Sequence, residues 1–265
     1  MASKKRLDVL LVERGMAASR SLAQRMVMAG QVRVDGHVAV KPSVKIHGGA
    51  AIEIDVGPRY VSRGGEKLEA ALDKFPIDVE GFTCADVGAS TGGFTDCLLQ
   101  HGAKKVYAID VGKGILDWKL RKDKRVEVME ETNARYVKNL PELVDLVTID
   151  TSFISLKVLL PAVKGWLGET GGVVIALIKP QFEAGREAAN KGKGVIRDPE
   201  IHRQVLEDVL GFANEEGYGA RGLVRSPLVG PKGNVEFLAH LTRLGENADE
   251  TALLISQVFS NEAQG

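Results

Sequence analysis

Residues 86–95, Asp86-Val-Gly-Ala-Ser-Thr-Gly-Gly-Phe-Thr95, decide how the chain is read. A strand-like run, Phe82-Thr-Cys-Ala85, leads into them, and a helix-like run, Asp96-Cys-Leu-Leu-Gln100, leaves them. Glycines in a strand-to-helix turn let the main chain approach a ligand, and the helix start presents unpaired N–H groups. Asp110 lies 22 residues beyond Gly88, at the end of the next apolar run, Val106-Tyr-Ala-Ile109. An acid there can accept both hydroxyls of a ribose, so the two features together indicate a nucleoside-bearing cofactor.

Three known motifs compete for this loop. A Walker A loop needs lysine after its last glycine, and here Phe94 follows Gly93. The dinucleotide fingerprint G-x-G-x-x-G would need glycine at Ser90. Gly88-Ala-Ser90-Thr-Gly92 does fit the nucleophile elbow G-x-S-x-G, which requires an acid and then a histidine downstream. Of the candidates, His202 sits in a polar helical run and His240 in an apolar strand pattern. Cofactor binding is the preferred expectation, and the elbow is its alternative.

The chain has 265 residues, 44% hydrophobic and 26% charged. That suits a soluble protein with one large domain and one small one. No run approaches the ~18 apolar residues of a membrane span. The start, Met1-Ala-Ser-Lys-Lys-Arg-Leu7, lacks the apolar core of a signal peptide, so a cytoplasmic location is expected. Cys84 and Cys97 read as inert core thiols, and five scattered histidines offer no metal cluster. The net charge of zero conceals an asymmetry. Residues 1–60 hold ten Lys/Arg against five Asp/Glu, and the remainder 25 against 30. A basic module joined to an acidic body suggests a polyanion-binding appendage.

Residues 1–57 read as a small α-then-β domain. Leu7, Leu10 and Leu11 give helical spacing, with Asp8 and Glu13 outward and Gly15 as the stop. Ser19 is placed to cap a second helix, Arg20 to Ala29, whose stripe is Leu22, Ala23, Met26 and Val27. Gln31 to Val40 alternates around Asp35-Gly36 and predicts a hairpin, and Ile46 to Val56 predicts one more short strand pair. Taken singly, Arg6, Arg20, Arg25, Arg33, Lys41 and Lys45 are a solvated charged surface.

Residues 58–61 form a linker, 62–245 a second domain and 246–265 a C-terminal helix or tail. Ser62 to Lys74 reads as a helix with Leu68, Ala71 and Leu72 buried and Lys67 off the stripe. Strand-like runs follow at 82–87, 105–110, 126–130, 144–150, 172–178, 218–225 and 235–241, with helical runs at 94–101, 114–121, 155–165 and 199–215. Such alternation argues an α/β fold, a seven-stranded Rossmann-like sheet with helices on both faces. Ligands in such sheets sit beyond the C-terminal strand ends. Gly88, Asp110, Asp150 and Lys179 fall at such ends, and Glu236 joins them if the last strand runs antiparallel. Each alone has a plainer reading: a helix cap for Asp150, surface lysines for Lys67 and Lys179, an edge-strand charge for Glu236.

The first module, with Arg6-Leu-Asp8, Ser19-Arg20, Gly30-Gln-Val-Arg-Val-Asp-Gly36 and Lys41-Pro-Ser43, resembles the RNA-binding domain named after small-subunit ribosomal protein S-four. The resemblance puts Arg6, Arg20 and Lys41 at RNA-facing positions, where phosphate contacts would position rather than read the RNA. The second domain has the layout of the S-adenosylmethionine-dependent methyltransferases. Ser62-Arg-Gly-Gly-Glu-Lys67, Asp86–Thr95, Thr132-Asn-Ala-Arg135, Asp150-Thr-Ser-Phe-Ile-Ser155, Lys179-Pro-Gln-Phe-Glu183 and Gly233-Asn-Val-Glu236 extend the resemblance over nearly the whole chain. It is to the TlyA-type proteins, known as hemolysins and as ribosomal RNA ribose 2′-O-methyltransferases with the heat-shock rRNA methyltransferase fold. Asp150-Thr departs from that family's more usual Asp-Leu.

The resemblance implies a catalytic tetrad of Lys67, Asp150, Lys179 and Glu236. It implies S-adenosylmethionine held by Asp86, Gly88, Ser90, Thr91, Gly92, Gly93, Phe94, Thr95, Asp110, Val111 and Asn133. It further implies RNA guidance by Arg63, Arg135 and Arg186, ribosomal RNA or ribosomal subunits as partner, and cytidine as the target. A monomer is the default expectation, the chemistry needs no metal, and the sequence opposes a membrane role. A ribose hydroxyl must lose its proton as it attacks. A lysine at its ordinary pKa of ~10.4 cannot accept that proton, whereas burial and a second cation lower lysine values. Lys179 is the expected base, Asp150 its orienter, and Lys67 and Glu236 position the ribose. Residues 183–194 read as a lid, an RNA clamp or an idle loop. The other functions considered are a non-catalytic ribosome-assembly factor, a membrane-lytic hemolysin, and a base or protein methyltransferase.

Overall fold

A computed structural model describes residues 4–55, 57–169, 171–185, 192–230, 232–243 and 251–260. The chain forms two compact units, Met1–Arg59 and Tyr60–Gly265.

In the first unit, strand β1 (Lys4–Arg6) runs directly into helix α1 (Leu7–Glu13). Helix α2 (Arg20–Met28) follows, its Leu22 N–H capped by Ser19 at 3.2 Å. Strands β2 (Val32–Val34) and β3 (His37–Val38) make the expected hairpin. Its turn residues Asp35 and Gly36 both take positive φ, 49° and 80°, which matches the twist of the flanking strands. Strands β4 (Lys45–His47) and β5 (Ile52–Ile54) do not pair with each other, contrary to the expectation for residues 46–56. β4 pairs with β1, a strand not foreseen, and β5 pairs with β2. Both partners offered an open edge, and the intervening turn is long enough to reach them separately. Asp8, expected outward, is fully buried beneath Arg6, Arg20 and Gln24. Leu7, Leu10, Leu11, Ala23, Val27 and Val32 form the core.

The second unit opens with Tyr60 and Val61. Both pack into its core, although the linker reading covers them. Helices α3 (Gly64–Leu72) and α4 (Gly93–Gln100) flank strand β6 (Thr83–Val87), and β7 (Lys105–Ile109) follows. Helix α5 spans only Trp118–Lys122, because Glu130 accepts the N–H groups of Gly114 and Ile115 and holds that segment as a loop. The order continues with β8 (Val126–Met129), a 3₁₀ turn (Ala134–Tyr136), β9 (Leu146–Ile149), α6 (Leu156–Lys164), β10 (Val173–Ile178) and α7 (Pro180–Glu183). Helix α8 (Pro199–Glu215), β11 (Tyr218–Arg225), β12 (Phe237–Arg243) and α9 (Thr251–Ser260) complete it.

The seven strands lie in the order β11-β12-β10-β9-β6-β7-β8. Only β12 runs antiparallel to its neighbours, which brings its start to the C-terminal ends of the others. Strand β6 is buried along its whole length, as a strand covered on both faces must be. Cys84 packs with α3 and α4 residues Leu68, Phe94 and Leu98, whereas Ala85 and Val87 pack with Leu159 of α6 and Leu206 of α8. The order reverses at β6, which lies between β7 and β9. A crevice opens at such a switch point.

Candidate active site

Two cavities adjoin at that crevice and share Gly88, Ser90, Asp150 and Ser152. One, of about 510 Å³, is lined by Asp110, Val111, Ile115, Asn133 and Phe153, among others. Gly88 begins its floor with φ +83°, and a Cβ there would stand 2.5 Å from the Asp150 carbonyl oxygen. Only glycine lets the end of β6 close against the end of β9 in this way. Ser90 follows at φ 51°. Asp110 holds that turn, accepting from the Ser90 N–H at 2.8 Å and the Gly112 N–H at 2.7 Å, one on each oxygen. Each carboxylate oxygen keeps a further acceptor site.

The other cavity, of about 560 Å³, is lined by Ser62, Arg63, Lys67, Phe94, Lys179 and Glu236, with Thr91 and Gly93. Two ion pairs stand in it. Lys179 Nζ lies 2.6 Å from Asp150 Oδ1 and donates to Ser152 Oγ at 3.4 Å. Lys67 Nζ donates to Glu236 Oε2 at 2.6 Å. Lys179 and Glu236 are buried, at 8% and 1% exposure. Burying charges is costly unless they are paired, and here each cation has its own carboxylate.

The surrounding backbone explains how the four arrive together. Lys67 comes from α3, Asp150 ends β9, Lys179 ends β10, and Glu236 precedes β12. Glu183 ties the segment after Lys179 to the segment after Asp150, accepting from Ser155 Oγ at 2.6 Å and the Leu156 N–H at 2.8 Å. Burial pushes the Glu183 carboxyl upward against those two hydrogen bonds. Asn234, 4% exposed, accepts from the Ile196 N–H and donates to the Gly194 carbonyl, both at 2.9 Å. It thereby pins the chain before α8 to the turn that carries Glu236.

Three residues expected at the cofactor line neither cavity: Asp86, Gly92 and Thr95. Asp86 is completely buried and accepts from Thr95 Oγ1 at 2.6 Å and Thr148 Oγ1 at 3.1 Å, bracing β6 to α4 and β9. Burial raises its carboxyl to about 6, despite the two hydroxyls. Gly92 starts α4 at φ +98°, where a Cβ would meet Leu120 Cδ1 at 2.2 Å. Arg63 lines the cavity that holds the two lysine–carboxylate pairs, and Arg135 lines the one beside Asp110. Arg6, Arg20 and Lys41 belong to the first unit, and Arg186 lies outside the described residues, as do residues 186–191, half of the expected lid. Ser152, Phe153, Thr132 and Ile115 join the cavity walls without having been singled out. The first two sit just past the strand-ending Asp150, a position that could have marked them.

The hydrolase alternative fails on geometry. Ser90 does have a positive φ, but no histidine lines either cavity among the described residues. His202 contacts the Ile196 carbonyl at 3.1 Å, and His240 is buried against Phe75. One group of possible metal ligands, Glu69, Cys97 and His101, converges between α3 and α4, where no cluster was expected. Glu69 Oε2 and His101 Nε2 lie 3.5 Å apart there, and Cys97 is buried. No helix among the described residues is long and apolar enough to cross a membrane.

Comparison with known proteins matches residues 60–243 to the FtsJ-like methyltransferase family and residues 5–52 to the S4 domain. The protein YqxC of Bacillus subtilis (strain 168), which carries an rRNA methyltransferase name, is 51% identical over 257 residues, spanning 94% of this chain and 90% of its own. The 16S/23S rRNA (cytidine-2′-O)-methyltransferase TlyA of Mycobacterium tuberculosis (strain CDC 1551 / Oshkosh) is 46% identical over 247 residues, 91% of each chain. A solved structure from Streptococcus thermophilus, named as a hemolysin, shares 44% identity over 100% of both chains with a TM-score of 0.71.

Proposed function

Because the chain belongs to the FtsJ-like methyltransferase family, we propose that it transfers a methyl group from S-adenosylmethionine to a ribose 2′-hydroxyl of ribosomal RNA, that of a cytidine. The observation that carries this reading is the pair of buried lysine–carboxylate contacts, Lys179–Asp150 and Lys67–Glu236, in a cavity that adjoins the Gly88–Asp110 pocket.

The residues present fit the cofactor. Asp110 has an acceptor site left on each oxygen for a ribose, and Gly88 and Ser90 line the wall beside it. Val111 and Ile115 give the pocket apolar surface, and Asn133 supplies an amide. When bound, S-adenosylmethionine supplies an electrophilic methyl group. Lys179, in its deprotonated amine form, accepts the proton of the 2′-hydroxyl, so that the oxygen is free to attack. Asp150 and Ser152 fix the direction of its Nζ. Lys67, held by Glu236, donates to the ribose and keeps it facing the shared wall of the two cavities. Such alignment is worth at most about 7–11 kcal/mol of the barrier. The S4 domain, with Arg6, Arg20 and Lys41, supplies RNA affinity through phosphates.

The test is methyl transfer from radiolabelled S-adenosylmethionine to ribosomal subunits, wild type beside Lys179→Ala and Asp150→Asn. Label in ribose that is lost in Lys179→Ala and strongly reduced in Asp150→Asn is the expected result. Label unaffected by Lys179→Ala removes that lysine from proton transfer. No label on any RNA, with cofactor binding intact, overturns the reading in favour of an assembly factor.

A further inference from the structure

Asp8 is the single fully buried acidic side chain among the described residues of the first unit. It sits in the first turn of α1 between Leu7 and Leu11, both at 0% exposure. Four side-chain hydrogen bonds converge on it. Arg6 donates through Nε and Nη2, each at 2.9 Å; Arg20 donates through Nε at 3.0 Å; Gln24 donates through Nε2 at 2.8 Å. Its own N–H donates to the Pro42 carbonyl at 3.0 Å, which docks the turn bearing Lys41 at the same helix start. The partnership holds the carboxyl far below the usual carboxylate range, so it stays an anion.

The two arginines remain 39% and 55% exposed. Arg6 Nη1 and both terminal nitrogens of Arg20 have no protein partner among the described residues. A guanidinium fork matches a phosphate with two parallel hydrogen bonds, but a free arginine loses rotamer freedom when it binds. Here that ordering is done before binding.

We propose that Asp8 is a positioning residue for nucleic acid: it presets Arg6 and Arg20 as a pair of guanidinium forks for RNA phosphates, and so strengthens binding to a polyanion although it is itself an anion. The inference rests on the reading of the first unit as RNA-binding. It sets two effects against each other with opposite signs. Bulk electrostatics says that removing a negative charge beside the RNA tightens binding. Loss of preorganisation says that it weakens.

The experiment measures binding of the full chain to purified large-subunit ribosomal RNA at two salt concentrations. The variants are Asp8→Asn, Gln24→Leu, Arg6→Ala/Arg20→Ala, and Asp8→Asn in that double background. Asp8→Asn is expected to bind about fivefold to tenfold more weakly, with a shallower salt slope. Gln24→Leu, which leaves all charges unchanged, is expected to bind about twofold more weakly. In the double background Asp8→Asn is expected to cause no further weakening. Equal or tighter binding by Asp8→Asn, or the same weakening without the arginines, overturns the proposal. A role in folding alone would lower the melting temperature while leaving the salt slope unchanged, and that result also overturns it. If Asp8→Asn fails to fold, Gln24→Leu decides, and unchanged binding there overturns it. Wild type that binds no RNA, or binding indifferent to Arg6→Ala/Arg20→Ala, overturns the RNA-binding reading itself.

Discussion

Lys67 and Glu236 show how stability and function separate at single residues. Glu236 is 1% exposed, and its partner comes from a helix 169 positions away in sequence. Lys67→Ala leaves that carboxylate buried without its cation. A loss of about 3 kcal/mol in urea unfolding is expected. Replacing both, as Lys67→Met/Glu236→Leu, removes the stranded charge and is expected to restore most of that stability while methyl transfer stays absent. Stability that fails to return in the double variant would show that the pair packs in a way apolar side chains cannot imitate. Each of these residues was visible in sequence as a charge at an element end. Their pairing was not, because two segments 169 positions apart supply them.

Helices α3 and α4 cross almost backbone to backbone. A Cβ on Gly93 would stand 2.4 Å from Ser62 Oγ and 2.8 Å from the Gly65 nitrogen. Gly93→Ala must therefore push α3 away, and α3 carries Lys67. We expect kcat to fall about tenfold or more, since sub-ångström placement of reacting groups governs rate. An unaltered kcat in steady-state methyl transfer would mean that α3 moves without Lys67. Gly211 in α8 is the contrasting site, with nothing within 4 Å of its Cβ position. Gly211→Ala is expected to stabilise by about 0.5–1 kcal/mol in thermal unfolding, by helix propensity alone. A destabilised variant would contradict the open geometry there. Most elements were legible from periodicity, and β11 and α8 match to the residue. Helix α5 was not, because Glu130 reaches across 15 positions to hold Ile115 in a loop.

For the whole molecule, stability against pH carries two opposed contributions from its core. Burial, reinforced by Arg221, depresses His240 to about 4 from an ordinary histidine value of ~6.5. A neutral buried imidazole contributes stability that is present above ~6.5 and lost as pH falls toward about 4. Asp86 has the other sign. Its folded carboxyl is raised to about 6, so the fold gains as pH falls from there toward ~4. Unfolding midpoints of His240→Phe, compared with wild type across this range, are expected to show less loss of stability on acidification. Those of Asp86→Asn are expected to show more. Parallel curves for either variant would mean that its group keeps its ordinary pKa in the folded state.

What the sequence determined by itself is what local chemistry governs. The alternation of strands and helices, the glycine loop at residues 86–95, the Asp-Gly hairpin and the charged residues at strand ends all follow from backbone sterics and hydrophobic periodicity. These act over a few residues. What only the tertiary structure decided depends on segments far apart in the chain. The pairing of β4 with β1 was settled by which edge lay open. The burial of Asp8 was settled by Arg20 and Gln24 arriving from α2 to join Arg6 over it. The withdrawal of Asp86 into the core was settled by Thr95 and Thr148 taking both its oxygens. A carboxylate reads the same in a sequence whether it faces solvent, a ligand or a guanidinium, and only the fold supplies the partner that distinguishes them.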